Sequence, residues 1–420
     1  MLFLTILYFF MPETLFYGMR MLIGELNKRP LLRPLLVWIA GIVAAVYVAH
    51  TQWLSGLLLA TNLLLLLISC LGKGRESYSG RWLWGVVFLS LCFCLSLLYT
   101  VFRLSLPPYP SFGWQDGAAR LQAALAGTFG DLGLPEKETS VLSTLVLGYR
   151  QSMSPELTDR FSAAGVVHIL SVSGFHVAAL YALLSWIFSF FGRGLLVRSL
   201  DAGATLLLVW GFTVISGLDT PTVRSALMIT FYSLGRAFRW QGDSYNTWAA
   251  SAWLMLAYNP FYLFDIGFQL SYLAVWSILF FYPRFRRALD VRNPLFAAPW
   301  NGLMLTLAAQ VGTLPLCLYY FREVSWVFLF TSLPVSWLST LMIPLGLLWA
   351  LLDFFQLPCG WLQAPLEHCV RGLIFWVEGF GEVPMLRFQF RGWMLLASYL
   401  ALLFGMYSLL KRNKNSWFVH

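Results

Sequence analysis

Polar side chains cluster inside one apolar run of the sequence. His168, Ser171, Ser173, Gly174 and His176 follow one another within nine residues, directly after a polar segment. In hydrocarbon an unpaired polar group costs several kcal/mol, so such a cluster must face other helices or a water-filled cavity. The Ser-Gly pair also favours a break, because glycine tolerates non-helical backbone. We therefore predict a broken or re-entrant helix that lines an interior path.

Three further apolar runs carry polar side chains. Pro221 suits the first turn of a helix, where the helix dipole favours Asp219 and where Arg224 can pair with that acid. Asp265 and Gln269 are four residues apart and should share one helix face. An ionisable residue inside a span costs about 2.5 to 3.5 kcal/mol on insertion scales, which favours a functional interior position. The other polar positions on these runs are Ser271 and Gln310.

Each of these marked positions has a structural alternative. Asp219 and Arg224 could cap a helix and reach the outer interface, and the others could hydrogen-bond between helices without any further role. Four marked runs in one chain nevertheless favour a shared polar interior over four independent bonding sites. We therefore assign all of these residues to the lining of one path.

Membrane helices must position these side chains. The chain has 420 residues, of which 59% are hydrophobic and 11% charged, whereas soluble domains average about 45 to 50% and 25%. Apolar runs of about 20 residues recur along the sequence. The composition excludes a soluble globular chain. It predicts an all-α polytopic membrane protein with about 10 to 12 membrane-embedded helices, some broken or re-entrant, and a short helical external segment.

Basic residues predict the orientation. They fall in alternate loops, for example at Arg236 and at Lys414 in the tail, so both termini are expected in the cytoplasm. The formal charge of +9 then reflects topology rather than a nucleic-acid surface. Met21 is an alternative start, because basic residues and a full span follow it.

The sequence divides into four segments. Residues 1–102 form an N-terminal segment with three transmembrane helices, and residues 103–165 form an external segment of amphipathic helices. Within the external segment, Pro135 and Glu136 start one helix, and Ser154 caps another that begins at Pro155. Residues 166–345 form the membrane core, and residues 346–420 form C-terminal membrane helices with a basic cytoplasmic tail.

Enzyme chemistry has weaker support. The six cysteines show no C-x-x-C or zinc spacing, and H-E-x-x-H, G-x-S-x-G and P-loop motifs are absent from the sequence. His168 and His176 would lie about 12 Å apart along an intact helix, so they could share a metal only across a break. We predict no catalytic residue, metal or cofactor. The alternative is a membrane-embedded enzyme, with or without a metal, that uses His168, His176 and Asp265.

The marked residues resemble the signature of a known family. Phe161, Gly165 and the stretch from His168 to Val177 are similar to the signature of the ComEC competence family, the inner-membrane channels of DNA uptake. The likeness runs in order over roughly residues 117 to 345. It includes Leu147-Gly148-Tyr149-Arg150, Gly217 with Pro221, Arg224 and Met228, Asn259-Pro260 with Asp265, Gly267, Gln269, Leu270 and Ser271, and Gln310 with Gly312, Thr313 and Pro315.

The chain also departs from that pattern. Phe175 stands where leucine is usual, and Thr331-Ser332 stands where asparagine is common. Fuller members carry an OB-like external domain, and many add a metallo-β-lactamase-like domain, neither of which is expected in these 420 residues. The resemblance therefore implies the membrane core of such a channel, without nuclease activity.

The resemblance also implies partners. A channel of this family passes single-stranded DNA inward through the lipid bilayer, with a separate DNA receptor and a cytoplasmic motor or DNA-binding protein. The chain could also form a homo-oligomer. A second alternative is a shortened, non-transporting relative that serves as a membrane partner protein.

The topology gives a first testable prediction. A reporter fused near Gln122 should behave as external and one fused after Lys414 as cytoplasmic, because basic residues hold their loops inside. Paired fusions active on opposite sides of the membrane, such as an alkaline phosphatase and a fluorescent protein, measure this. Localisation of both positions on the same side would contradict the topology.

Overall fold

The computed structural model describes most of the chain. It covers residues 29–47, positions 56, 60, 61, 63 and 64, and then 78–106, 113–170, 174–191, 194–238, 243–288 and 293–412. Ser171, Ser173, Met21 and Lys414 lie outside these residues. The described part is almost entirely helical.

Fifteen α-helices run through the described residues. The first eight are α1 Leu32–Tyr47, α2 Tyr78–Leu104, α3 Gly113–Gly127, α4 Glu136–Leu147, α5 Pro155–Ala163, α6 Val167–Leu170, α7 Gly174–Ser189 and α8 Leu195–Ile215. The next seven are α9 Thr220–Ala237, α10 Ser244–Tyr258, α11 Ile266–Ala288, α12 Pro294–Phe321, α13 Phe328–Phe354, α14 Gln363–Gly381 and α15 Gly392–Arg412. Short 3-10 helices cover Thr128–Leu132, Pro260–Phe264 and Gly360–Leu362.

The described residues include one small sheet. Strands β1 (Glu323–Val324) and β2 (Leu386–Arg387) pair antiparallel, with Glu323 opposite Arg387. The Arg387 Nε lies 2.9 Å from the Glu323 Oε1, so the two side chains form an ion pair beside the ladder. The sheet joins the segment before α13 to the segment before α15.

The helices confirm the predicted fold class. Five helices of the described residues are long and apolar enough to cross a membrane, in agreement with the need for about 20 apolar residues. Three shorter apolar helices lie in α1, α7 and α15. The protein is therefore an all-α polytopic membrane protein. The five candidate spans are Trp84–Leu104, Leu196–Ile215, Ile266–Arg287, Phe296–Phe321 and Phe328–Phe354.

The chain forms two compact units. Unit 1 comprises Met1–Pro110, Asp243–Asp265 and Phe404–His420, and unit 2 comprises Ser111–Gly242 and Ile266–Leu403. In unit 1, α1 packs closely on α2 at Gly41, where a Cβ atom would collide with Ser96. The Ser96 hydroxyl donates a hydrogen bond of 2.6 Å to the Trp38 carbonyl. Small residues permit such close helix approach in membranes.

The core of unit 2 encloses α4. Every residue of α4 from Ser140 to Leu147 is buried, and the helix packs against α3, α6, α13 and α14. The preceding 3-10 helix is held by two long-range bonds: the Trp349 indole donates to the Thr128 carbonyl at 3.3 Å, and the Gln363 amide donates to the Leu132 carbonyl at 3.1 Å. The amphipathic spacing of the external segment did not predict this degree of enclosure, because it depends on helices that come much later in the chain.

The predicted helix starts of this segment are correct. Helix α4 begins at Glu136, and α5 begins at Pro155. The Ser154 hydroxyl accepts a hydrogen bond of 3.3 Å from the Leu157 N–H, which is the expected N-cap. Local sequence is sufficient here, because a capping hydroxyl and a proline act within one turn.

A tight turn joins α5 to α6. Gly165 has a φ of 77°, in the left-handed region, and a Cβ atom there would lie 3.1 Å from the Phe328 Cα atom and closer still to its Cβ atom. The Ser325 hydroxyl donates to the Ala163 carbonyl at 2.6 Å, and the Thr331 hydroxyl donates to the Ala164 carbonyl at 2.5 Å. The start of α13 therefore holds the end of α5.

Gly165→Ala should destabilise the protein by about 2 to 5 kcal/mol. The left-handed conformation contributes roughly 1 to 2 kcal/mol and overpacking against Phe328 roughly 1 to 3 kcal/mol. Thermal unfolding of the purified protein in detergent measures the effect. The matched control is Gly203→Ala on α8, where a Cβ atom meets nothing within 4 Å. Equal unfolding temperatures for the two variants would contradict the role of the turn.

Candidate functional site

The marked apolar run is described on both sides of Ser171 and Ser173. Helix α6 ends at Leu170, and α7 begins at Gly174. The predicted break at the Ser-Gly pair stays a prediction, because residues 171–173 lie outside the described residues. Ser171 and Ser173 lie between the two helices, outside the described residues.

His168 lies on α6 and keeps an accessible side chain. Its ring is hydrogen-bonded to the backbone of Gly165. This position fits the predicted path.

His176 lies on α7 and is completely buried. Its ring hydrogen-bonds to the backbone of Leu145 on α4, and the charge of His168 is close enough to act on it. The sequence predicted a path-lining position for His176, but the structure encloses the ring in an interhelical hydrogen bond. Its part in the path stays a prediction.

The start of α7 touches α9. A Cβ atom on Gly174 would lie 2.7 Å from the Ser225 Oγ, so only glycine permits this approach. Ser225 in turn donates a hydrogen bond of 3.0 Å to the Pro221 carbonyl. Arg224 is the neighbouring residue on α9, with 3% of its surface exposed. The contact therefore brings the helix that carries His176 against the helix that carries Arg224.

Asp219 stands at the N-cap position of α9 and makes no side-chain cap bond. Partial burial raises the pKa of its carboxyl above the ordinary value, and the charge of Arg150 opposes part of that rise. The sequence hypothesis paired Asp219 with Arg224, whereas the cation found to act on this carboxyl is Arg150. Pro221 occupies the second position of α9, close to the predicted helix start.

Asp265 and Gln269 do not share a helix. Asp265 follows the 3-10 helix Pro260–Phe264 in an extended conformation, and α11 begins one residue later. The reason is local, because Asn259 caps that 3-10 helix by accepting from the Phe261 N–H at 3.1 Å. The predicted common face for Asp265 and Gln269 is therefore wrong.

Helices α11 and α12 form a tightly packed pair. A Cβ atom on Gly312 would lie 2.7 Å from the Ser277 side chain, and the Ser277 hydroxyl donates to the Ala308 carbonyl at 2.7 Å. The Tyr320 hydroxyl donates to the Gln269 Oε1 at 3.2 Å. These bonds are interhelical, as in other membrane proteins. Ser271 on α11 and Gln310 on α12 are half-buried.

The marked helices of unit 2 are successive neighbours. Helix α7 packs on α8, α9 and α13, α9 packs on α11, and α11 packs on α12. This order agrees with a shared interior, although it does not establish which side chains line it. The channel-lining roles assigned from the sequence stay predictions.

A metal site is not preformed in the described residues. Across residues 29–412, apart from the gaps given above, no three His, Cys, Asp or Glu side chains come together in a group that could hold an ion. The metal-dependent enzyme alternative thus finds no ready ligand set in this part of the chain.

One polar network was missed by the sequence analysis. The Arg236 guanidinium donates to the Tyr181 hydroxyl at 2.6 Å and to the Asp201 carboxylate at 3.0 Å. These contacts join α7, α8 and α9. The sequence placed Arg236 among the topogenic cations, and the only hint of pairing was Asp201, an acid beside an apolar run.

Comparisons with known proteins identify relatives. A family described as Competence protein matches residues 145–412. ComE operon protein 3 of Bacillus subtilis (strain 168) is 27% identical over 270 residues, which are 61% of this chain and 34% of that protein. Competence protein ComA of Neisseria gonorrhoeae is 26% identical over 233 residues, which are 52% of this chain and 31% of that protein. The matches span about a third of these curated relatives. No solved structure matches the chain.

The two histidines should differ in water access. In a background without the six native cysteines, His168→Cys should react with a small water-soluble thiol reagent, because position 168 is accessible. His176→Cys should be protected, because position 176 is 0% exposed. Labelling rates in membranes measure both. Equal protection at the two positions would contradict the difference in exposure between the two side chains.

Proposed function

The chain belongs to the competence protein family, and from this premise we propose that it acts in DNA uptake, as an inner-membrane channel for single-stranded DNA during natural transformation. The observation that carries the proposal is the match over residues 145–412, the range that contains α6, α7, α9, α11 and α12. Those helices carry His168, His176, Arg224, Gln269, Ser271 and Gln310, whereas Asp219 and Asp265 lie just before α9 and α11.

The proposed path fits the chemistry of a polyanion. Arg224 supplies a cation within unit 2, and helix N-termini such as that of α9 attract anions. Aromatic side chains, which make up 17% of the sequence, can stack on bases without sequence preference. The proposal assigns no catalytic residue.

The proposed setting is the bacterial inner membrane. Five apolar helices support a multi-pass protein, and the alternate basic loops support cytoplasmic termini. As the family resemblance implies, we assign DNA capture to a separate receptor and the driving force to a cytoplasmic motor or DNA-binding protein. Self-association into an oligomer is compatible with this arrangement.

Uptake assays test the proposal at Arg224. In a strain that lacks this gene, the wild-type chain should restore uptake of labelled DNA. Arg224→Lys should keep part of it, because the charge remains while the planar guanidinium is lost. Arg224→Gln should lose much more. Uptake is normalised to the amount of protein in the membrane, since neutralising a buried charge can also lower abundance.

The control for this test is Arg391→Gln, at an exposed arginine before α15, which should leave uptake unchanged. Unchanged normalised uptake in Arg224→Gln would show that Arg224 does not contact DNA. Failure of the wild-type chain to restore uptake would instead favour a non-transporting membrane partner.

A further inference from the structure

A cavity of about 240 Å³ lies against α6. Its volume has room for about eight water molecules at ~30 Å³ each. Val167 and Leu170, three residues apart on α6, form one wall. The cavity therefore borders the helix that carries His168. The other lining residues are Thr144, Arg150, Met153 and Thr158, and we name it the Arg150 cavity.

Arg150 is an available cation. Its side chain is exposed, and among the described residues its guanidinium makes no hydrogen bond or ion pair. Asp219 is close enough for the charge of Arg150 to act on it, but the two form no ion pair. All five N–H donors of the guanidinium can therefore meet a ligand.

A second cavity differs from the Arg150 cavity in that its cations are paired with acids. It measures about 360 Å³ and contains Lys137 and Arg160, which are both engaged by acids. Lys137 pairs with Glu378, and Arg160 lies 3.0 Å from Glu156 and 3.6 Å from Glu378. A polyanion gains little from cations that are already neutralised. The Arg150 cavity is the more favourable of the two for an anion.

The backbone before Arg150 is held rigidly. Gly148 ends α4 with a φ of 76°, and its N–H donates to the Thr144 carbonyl at 3.0 Å. The Thr144 hydroxyl donates to the Tyr149 carbonyl at 2.9 Å, and the Gln122 amide donates to the Leu147 carbonyl at 2.8 Å. These hydrogen bonds fix the position of the backbone next to Arg150. Functional sites whose supporting groups are fixed in this way are preorganised for their ligands.

We propose that the Arg150 cavity binds the phosphodiester backbone of the entering single strand, with Arg150 contacting one phosphate. The planar guanidinium matches the geometry of phosphate oxygens. The apolar wall of Met153, Val167 and Leu170 suits deoxyribose or a base, so the contact is independent of sequence. The inference rests on the proposed function and adds an entrance site beside α6.

Salt dependence of DNA binding tests this site. The full chain is placed in nanodiscs of zwitterionic lipid, and the affinity for a fluorescent, unstructured oligonucleotide is measured by anisotropy over a range of salt concentrations. Arg150→Gln should reduce the slope of log affinity against log salt by about 0.7, the contribution of one single-strand phosphate. Arg150→Lys should keep the wild-type slope.

The matched control is Arg120→Gln, at an exposed arginine on α3 that does not line the cavity. It should keep the wild-type slope. A wild-type slope in Arg150→Gln, with normal binding by the wild-type protein, would overturn the Arg150 site and leave the proposed function intact. No salt-dependent binding by the wild-type protein would overturn both.

A lipid headgroup offers the same phosphate chemistry. Nanodiscs that contain an anionic phospholipid separate the two sources, through the amount of that lipid retained by each purified variant. If lipid occupies the cavity, Arg150→Gln should retain less anionic lipid and show an unchanged oligonucleotide slope. That result would overturn the assignment to DNA.

Discussion

The turn between α5 and α6 depends on hydroxyl groups that a distant part of the chain supplies. Two carbonyls at the end of α5 have lost their helical partners, and Ser325 and Thr331 donate to them. Unpaired carbonyls in apolar surroundings cost several kcal/mol. Gly165 must also fit against Phe328 without a side chain. The position of α6, and of His168 with it, therefore follows from the start of α13.

The buried helix α4 contacts a second element of the candidate path, which is α7. Helix α4 lies in the core of unit 2 and receives the hydrogen bond of His176 at Leu145. Its C-terminal turn then presents Arg150 beside α6. The same helix thus anchors α7 and positions Arg150 in the adjoining cavity. Side chains on or next to buried helices are positioned more precisely than side chains on surface loops.

The sequence predicted the features that local chemistry decides. Glu136 and Pro155 start their helices as expected, because a capping hydroxyl and a proline act within one turn. Asp265 was misplaced because Asn259 caps a separate turn ahead of α11. The network of Arg236 and the enclosure of α4 depend on which helices become neighbours, and periodicity in one segment carries no information about that.

The distance in sequence between α5 and α13 also has a consequence for biosynthesis. Thr331 follows the Ala164 carbonyl by 167 residues. A ribosome adds about 5 to 20 residues per second, so roughly 8 to 33 seconds pass before the donor exists. During that interval the carbonyl needs another hydrogen-bond partner, such as water. The turn between α5 and α6 is therefore completed only after Thr331 has been synthesised.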